Sequence, residues 1–144
     1  MELNQIHKLF LESTGTSTDT RNIKQGSLFF ALKGANFNGN TFAHQALENG
    51  ACYAVIDEVV HPTDKRFILV DNVLQTLQEL ASFHRKYLDI PVVALTGSNG
   101  KTTTKELINS VLNQQYNTHA TQGNYNNHIG VPLTLLQMDK TTEI

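Results

Sequence analysis

Cysteine occurs once in the 144 residues, at Cys52, so the chain cannot close a disulfide on itself. That excludes the stapled framework of a small secreted domain, and a cytoplasmic location is the expectation. Charge of one sign is equally scarce: 11 Lys and Arg against 13 Asp and Glu leave a formal net charge of −2. Without a basic excess there is no electrostatic footprint for nucleic acid. No apolar run approaches the ~20 residues of a membrane-spanning helix, so no membrane partner is expected. Glu2, Asn4 and Gln5 interrupt any apolar run at the N-terminus, so no signal peptide is read there. Internal repeats and low-complexity linkers are also lacking. The histidines His7, His44, His61, His84 and His119 are scattered without metal-ligand spacing. They read as surface or satisfied half-buried residues, not zinc ligands. Cys52 sits in a strand-like apolar stretch and reads as a small core residue, with nothing beside it to lower a thiol pKa.

What is present is an apolar content of 40%, enough for a real core, arranged as strands alternating with helices. Leu3, Ile6, Leu9 and Phe10 fall at helical spacing, and Ser13, Thr14 and Gly15 end that helix. Residues 27–32, 52–56 and 67–70 read as strands. The glycine- and asparagine-rich residues 33–40 read as a loop, with Asn40 capping a helix through Phe42, Ala46 and Leu47. Asp71 or Asn72 caps a further helix carrying Val73, Leu77, Leu80, Ala81 and Phe83, a stripe that reads as core packing. Such alternation predicts an α/β layered fold.

The densest chemistry lies at residues 92–104. Val92, Val93, Ala94 and Leu95 read as a buried strand, Thr96 to Gly100 as a glycine-flanked turn followed by Lys101, and Thr102 onward as a helix running to about Gln114. Glycines let a backbone approach an anion closely, and the helix start offers free N–H groups and the positive end of its dipole. Lys101 adds a full charge and Thr102 a hydroxyl suited to Mg²⁺. A nucleotide triphosphate is the natural ligand, although the spacing is not the common G-x-x-x-x-G-K-[ST]: that pattern needs glycine where Leu95 stands. A strand over residues 116–121 should follow, then a loop to Gly130, with Pro132 in the first turn of another helix.

The run T-G-S-N-G-K-T-T-T resembles the ATP loop of the Mur ligases, the ATP-dependent amide-forming enzymes of peptidoglycan precursor synthesis. Asp19-Thr20-Arg21 and residues 26–34 resemble the uridine-nucleotide domain shared by two branches, MurE and MurF, and the asparagine-rich residues 123–136 resemble the MurF branch. The resemblance implies an α/β fold: a small N-terminal domain (residues 1–84), then the first part of a P-loop-type, doubly wound, mostly parallel sheet domain (85–144). It implies ligation of D-alanyl-D-alanine to UDP-N-acetylmuramoyl-tripeptide with ATP and Mg²⁺, through an acyl phosphate. Gly97, Ser98, Asn99 and Gly100 would cradle the phosphates and Lys101 would bridge the β- and γ-phosphates. Thr102 would hold Mg²⁺ and Thr103 would donate to the α-phosphate. Ser17, Thr18, Asp19, Thr20 and Arg21 would meet the uridine nucleotide, with residues 33–34 and 37–40 as a second loop. Many relatives carry Asp-Gly-His where Asn38-Gly39-Asn40 stands. Asn124 or Asn127 would touch substrate, and His128 reads as a surface loop residue.

Bland readings stand beside these. Asp19 and Arg21 also suit a turn-stabilising pair, and the asparagine loop a turn satisfied by its own side chains. The chain is read as a fragment, with the first domain complete and the second partial. The Mg²⁺-binding glutamate, a histidine, a carbamylated lysine and a C-terminal domain would lie elsewhere, and Glu143 is not taken for that glutamate. The full-length protein is expected to be a monomer. Residues 1–144 alone are expected to be inactive and to self-associate through a sheet edge. A MurE-type or folylpolyglutamate-synthase-like ligase, a non-catalytic nucleotide-binding module and a uridine-nucleotide carrier remain as alternatives.

Overall fold

Three consecutive apolar residues, Leu28, Phe29 and Phe30, suit a strand covered on both faces, and all three are buried. They form the second of four strands in a computed structural model that describes residues 1–123 and 125–144. Two compact units emerge, Met1–Leu80 and Ala81–Ile144. In the first, β1 is Thr16–Ser17, β2 Leu28–Phe30, β3 Lys33–Gly34, β4 Phe37–Asn38, β5 Tyr53–Ile56 and β6 Phe67–Leu69. The sheet order is β1-β2-β5-β6 with every pairing parallel. Phe29 lies opposite Ala54, and Val55 opposite Ile68.

Side chains alternate across a strand, so adjacent residues serve opposite faces. On one face Phe29, Ala54 and Ile56 cluster with Ala43, Ala46 and Leu47. Those last three belong to helix α2, Ala43–Glu48. Leu28, Phe30 and Val55 must point the other way, and the helices α1 (Leu3–Glu12) and α3 (Val73–Leu88) contribute further large buried side chains to the unit. These are Ile6, Phe10, Val73, Leu77 and Leu80. The apolar spacing of α1 thus reports its buried face, and the Ser13 hydroxyl ends the helix on the Phe10 carbonyl at 2.7 Å. Asn72 caps α3 by accepting the Gln75 N–H at 2.9 Å.

Residues 33–40 are not one loop. β3 and β4 form a tight antiparallel hairpin, and a 3-10 helix, Gly39–Phe42, follows. The Phe37 ring lies directly on Gly34, where a Cβ would come within 2.2 Å of it. Asn40 does not cap α2, whose N-cap is Phe42. Asn38 caps the 3-10 helix instead, accepting the Asn40 N–H at 3.0 Å, and Asn40 is buried. An asparagine amide can satisfy a half-buried carboxylate as well as cap a surface helix, and here it does the former.

In the second unit, α4 is Lys101–Leu112 and α5 is Gly130–Leu135. The helix α4 starts one residue before the Thr102 of the sequence reading and ends two residues short of Gln114, and Pro132 stands in the first turn of α5 as expected. The strands expected at 92–95 and 116–121 do not form, and Val92, Val93 and Leu95 are exposed. A strand needs at least one neighbour to complete its ladder, and among the described residues of 81–144 there is no strand to supply one. Residues 117–119 instead run beside 143–144: the His119 N–H donates to the Ile144 carbonyl at 2.9 Å and the Glu143 N–H to that of Asn117 at 2.8 Å. His84 is a satisfied buried histidine, its Nε2 lying 2.9 Å from the Met138 carbonyl oxygen. The units separate after Leu80, inside the continuous α3.

Candidate functional site

Gly97 and Gly100 carry φ of 145° and 78°, backbone that a side chain rarely tolerates. Room is not the reason for glycine: a Cβ on Gly100 would meet nothing within 4 Å, and one on Gly97 only the Asn99 carbonyl oxygen at 3.9 Å. What the turn needs is the left-handed conformation, which aims Gly100 into the N-cap of α4. The N–H groups of Gly100, Lys101, Thr102 and Thr103 then have no acceptor within the helix, and the positive end of its dipole lies among them. Residues 96–100, Thr102 and Thr103 are exposed. Lys101 is half-buried, and its Nζ folds back to donate to the Gly97 carbonyl. An open turn, orphaned donors and a cation held at its edge fit a polyphosphate. Thr102 offers one exposed hydroxyl for a cation; among the described residues no cluster of three or more His, Cys, Asp and Glu could hold a metal.

A cavity of about 130 Å³ lies in the same unit. Val93, Leu95, Ile108, Leu112, Leu135 and Met138 give it an apolar lining. Lys105 reaches its wall from α4; the Nζ donates to the Thr121 carbonyl and pairs with Glu106 Oε1 at 2.6 Å. The Thr118 hydroxyl donates to Asn109 Oδ1 at 2.7 Å, a second tie between the extended run and the helix.

Asn124 lies outside the described residues. Asn127 is engaged by its own turn, its Oδ1 accepting the Ile129 and Gly130 N–H groups at 3.0 and 2.7 Å and so starting α5. A Cβ on Gly130 would fall 2.7 Å from Tyr125 Cα, so this turn closes tightly on glycine. His128 is exposed.

The remaining candidate residues belong to the first unit. Ser17 and Asp19 form a local turn, the Ser17 hydroxyl donating to the Asp19 carbonyl at 3.1 Å. Asp19 accepts from the Arg21 N–H at 3.0 Å and from its guanidinium at 2.6–3.1 Å. Those bonds hold the Asp19 carboxyl down at about 2. Arg21 is nonetheless 84% exposed. Thr18 and Thr20 are half-buried, and Asn49 Nδ2 donates to the Thr20 carbonyl at 2.8 Å. Elsewhere in the same unit, Lys33 bridges Asp57 and Glu58, each at 2.8 Å. Asn38 Nδ2 donates to Glu58 Oε2 at 2.7 Å, and Asn40 Nδ2 to Asp57 Oδ1 at 2.8 Å. Burial pushes the Asp57 carboxyl up, but the bonds from Lys33, Asn40 and the Val73 N–H outweigh it and the net shift is downward. Cys52 is half-buried, its thiol donating to the Ser27 carbonyl at 3.3 Å, and burial raises its pKa.

The sequence reading missed Lys105 and the Lys33–Asp57–Asn40 network. For Lys105 a signal existed: Lys101, Lys105, Asn109 and Asn113 recur at intervals of four and so share one helix face. For the network there was none, because Asn40 and Asp57 meet only through the fold.

Comparison with known proteins matches the chain in two segments. Residues 95–144 match the Mur ligase middle domain, and residues 12–85 match the profile described as the Mur ligase family, catalytic domain. The chain is 48% identical over 132 residues to the UDP-N-acetylmuramoyl-tripeptide–D-alanyl-D-alanine ligase of Bacillus subtilis (strain 168), covering 90% of this chain and 29% of that protein. Among solved structures, MurF from Acinetobacter baumannii superposes with a TM-score of 0.86 at 31% identity, over 98% of this chain and 34% of that one. The MurF ligase of Thermotoga maritima in complex with ADP gives 0.82 at 34% identity, over 93% of this chain and 31% of that one. The chain thus spans about a third of the length of these relatives, and on both matched segments it belongs to the Mur ligase family.

Proposed function

We propose that this chain supplies the phosphate seat and the uridine-nucleotide domain of an ATP-dependent ligase that joins D-alanyl-D-alanine to UDP-N-acetylmuramoyl-tripeptide. The observation that carries the reading is the open turn from Gly97 to Gly100 set on the N-terminus of α4, with Lys101 at its edge. ADP bound to the Thermotoga maritima relative supports a nucleotide there. The relatives' shared name supports the two substrates. The asparagine-rich turn favours this branch over a MurE-type or folylpolyglutamate-synthase-like ligase.

The physical difficulty is charge. The tripeptide carboxylate must attack the γ-phosphorus, with ADP leaving, to give an acyl phosphate. The amine nitrogen then attacks the acyl carbon, sheds a proton, and phosphate departs as the amide forms. Two unit charges ~4 Å apart repel by about 4 kcal/mol at an effective dielectric of about 20. Lys101 and the N–H groups of Gly100 to Thr103 offset that repulsion and do so more strongly as charge spreads over the transferring group. Releasing the Gly97 carbonyl frees the Lys101 ammonium for the β- and γ-phosphates. Thr103 donates to the α-phosphate, and Thr102 provides an oxygen for Mg²⁺, which would neutralise phosphate charge when bound. In the first unit, Ser17, Thr18, Asp19, Thr20 and the exposed Arg21 face the uridine diphosphate, with residues 1–84 as its domain. Asn124 or Asn127 is the asparagine contact to substrate. The full-length enzyme is a cytoplasmic monomer in this reading, and residues 1–144 alone do not ligate.

Lys101→Ala in the full-length protein tests the assignment. Losing two charge-assisted bonds of about 1.5–3 kcal/mol each weakens magnesium-ATP binding by roughly 100-fold or more in calorimetry, and amide formation stops with the melting temperature unchanged. Unaltered ATP affinity and turnover would remove the seat from residues 97–103. Normal ATP binding by the parent with no phosphate release, even with the UDP-tripeptide and the dipeptide supplied, would leave a non-catalytic nucleotide module.

A further inference from the structure

We propose that Lys105 is a positioning residue for the reaction: it holds the Thr121 backbone against the phosphate helix and so sets where the chain enters the turn at 125–130. The inference rests on the ligase reading above. Lys101, Lys105, Asn109 and Asn113 lie at steps of four along α4, a single polar stripe. Lys101 reaches back to the turn, through the Gly97 carbonyl. Lys105 reaches sideways, to the Thr121 carbonyl. Asn109 receives the Thr118 hydroxyl at 2.7 Å, and Asn113 Oδ1 lies 3.4 Å from the same hydroxyl. The run 118–121 forms no strand; besides the backbone bond from His119 to Ile144, side chains of one helix fasten it. Lys105 makes the fastening nearest the turn.

The lysine itself is 19% exposed, low for a residue that usually keeps its ammonium in water. Two oxygens repay that burial, the Thr121 carbonyl and Glu106 Oε1 at 2.6 Å. Neither is the Gly97 carbonyl that Lys101 addresses, and a rise of about 6 Å along the helix separates the two lysines. Lys105 is therefore engaged in placing backbone rather than held ready for a phosphate. After Thr121 the chain reaches Asn127, which starts α5, and Tyr125, which closes on Gly130. A displaced Thr121 carries this asparagine turn with it, without disturbing the orphaned N–H groups at the start of α4.

The test compares Lys105→Met, Lys105→Arg and Lys101→Ala in the full-length protein. Met keeps the stem and removes the donor, so amides at 122–123 and 125–130 should exchange with deuterium at least 10-fold faster while those of α4 do not change. Arg should restore protection. Magnesium-ATP affinity should stay within about 3-fold of the parent in Lys105→Met, unlike Lys101→Ala, while KM for the UDP-tripeptide rises about 10-fold or more and the melting temperature holds. Unchanged exchange at 125–130 overturns the proposal. So does a loss of ATP affinity matching that of Lys101→Ala, which would make Lys105 a phosphate ligand. If the parent binds no ATP, the ligase reading fails while the exchange result still decides what Lys105 holds.

Discussion

Asn40→Ala removes the centre of the network that joins the hairpin β3–β4 to the end of β5. Asn40 is 2% exposed. Its Nδ2 donates to Asp57 Oδ1 and to Asn38 Oδ1, both at 2.8 Å, and its Oδ1 accepts the Asp57 N–H at 3.0 Å. The bond to a carboxylate contributes about 1.5–3 kcal/mol, the neutral one about 1, and a stranded N–H costs about 1–3. The expected loss is roughly 4 kcal/mol, a large part of the ~5–15 kcal/mol that holds a typical domain together. With a urea slope near ~2 kcal/mol per molar, the unfolding midpoint of the first unit falls by about 2 M, read by circular dichroism. Asn40→Asp is the sharper probe, being isosteric. It sets a second carboxylate where an amide faced Asp57, and like charges ~4 Å apart repel by about 4 kcal/mol at the same effective dielectric. That repulsion raises the pKa of the new carboxyl in the folded state above its unfolded value. The folded protein then binds more protons, and the variant regains stability as pH falls from 7 towards ~4.5. A midpoint shift below about 0.5 M in Asn40→Ala would refute the reasoning, most tellingly if substrate affinity fell instead, since Asn40 would then be holding ligand and not Asp57.

Further predictions concern other parts of the chain. Asp19 should titrate near 2 by carbon NMR, against about 3.9 for a free aspartate. Its folded pKa is depressed, so its stabilising contribution is present above about 4 and lost as pH falls through about 2; Arg21→Ala should return the midpoint to the ordinary range, and an unmoved midpoint would break the pairing. Gly130→Ala forces a Cβ into the Tyr125 backbone at 2.7 Å and should cost the second unit about 1–3 kcal/mol. Gly100→Ala meets open space, so it should cost only the ~1–2 kcal/mol of left-handed backbone. Equal effects would show that crowding is not what selects glycine at 130. Residues 1–144 alone should grow in mass with concentration by light scattering, because Val92, Val93, Leu107 and Val111 are exposed. Val93→Lys should reduce that growth, and a clean monomer at high concentration would refute it.

What could be read in advance was local. The turn at 97–100 was legible because its glycines, lysine and following helix are adjacent in sequence, and each acts through backbone conformation or charge that neighbours determine. The strands β2, β5 and β6 were legible because unbroken apolar runs suit a sheet covered on both sides. Val92 to Leu95 has the same apolar character yet forms no strand, since pattern records what a segment could bury and not whether partners stand beside it. The hairpin at residues 33–40 failed for the converse reason. Its glycines and asparagines look like solvent-facing turn residues, but Gly34 is there to admit the Phe37 ring and Asn40 to satisfy a carboxylate 17 residues further on. Lys105 falls between these cases. Its spacing from Lys101 was visible, but spacing gives only the face of the helix, and what that face meets depends on where residues 118–121 come to rest. The family resemblance covered the same ground as the adjacent motifs and stopped at the same place, because a motif names the residues that touch ligand and leaves unnamed the side chains that hold those residues where they are.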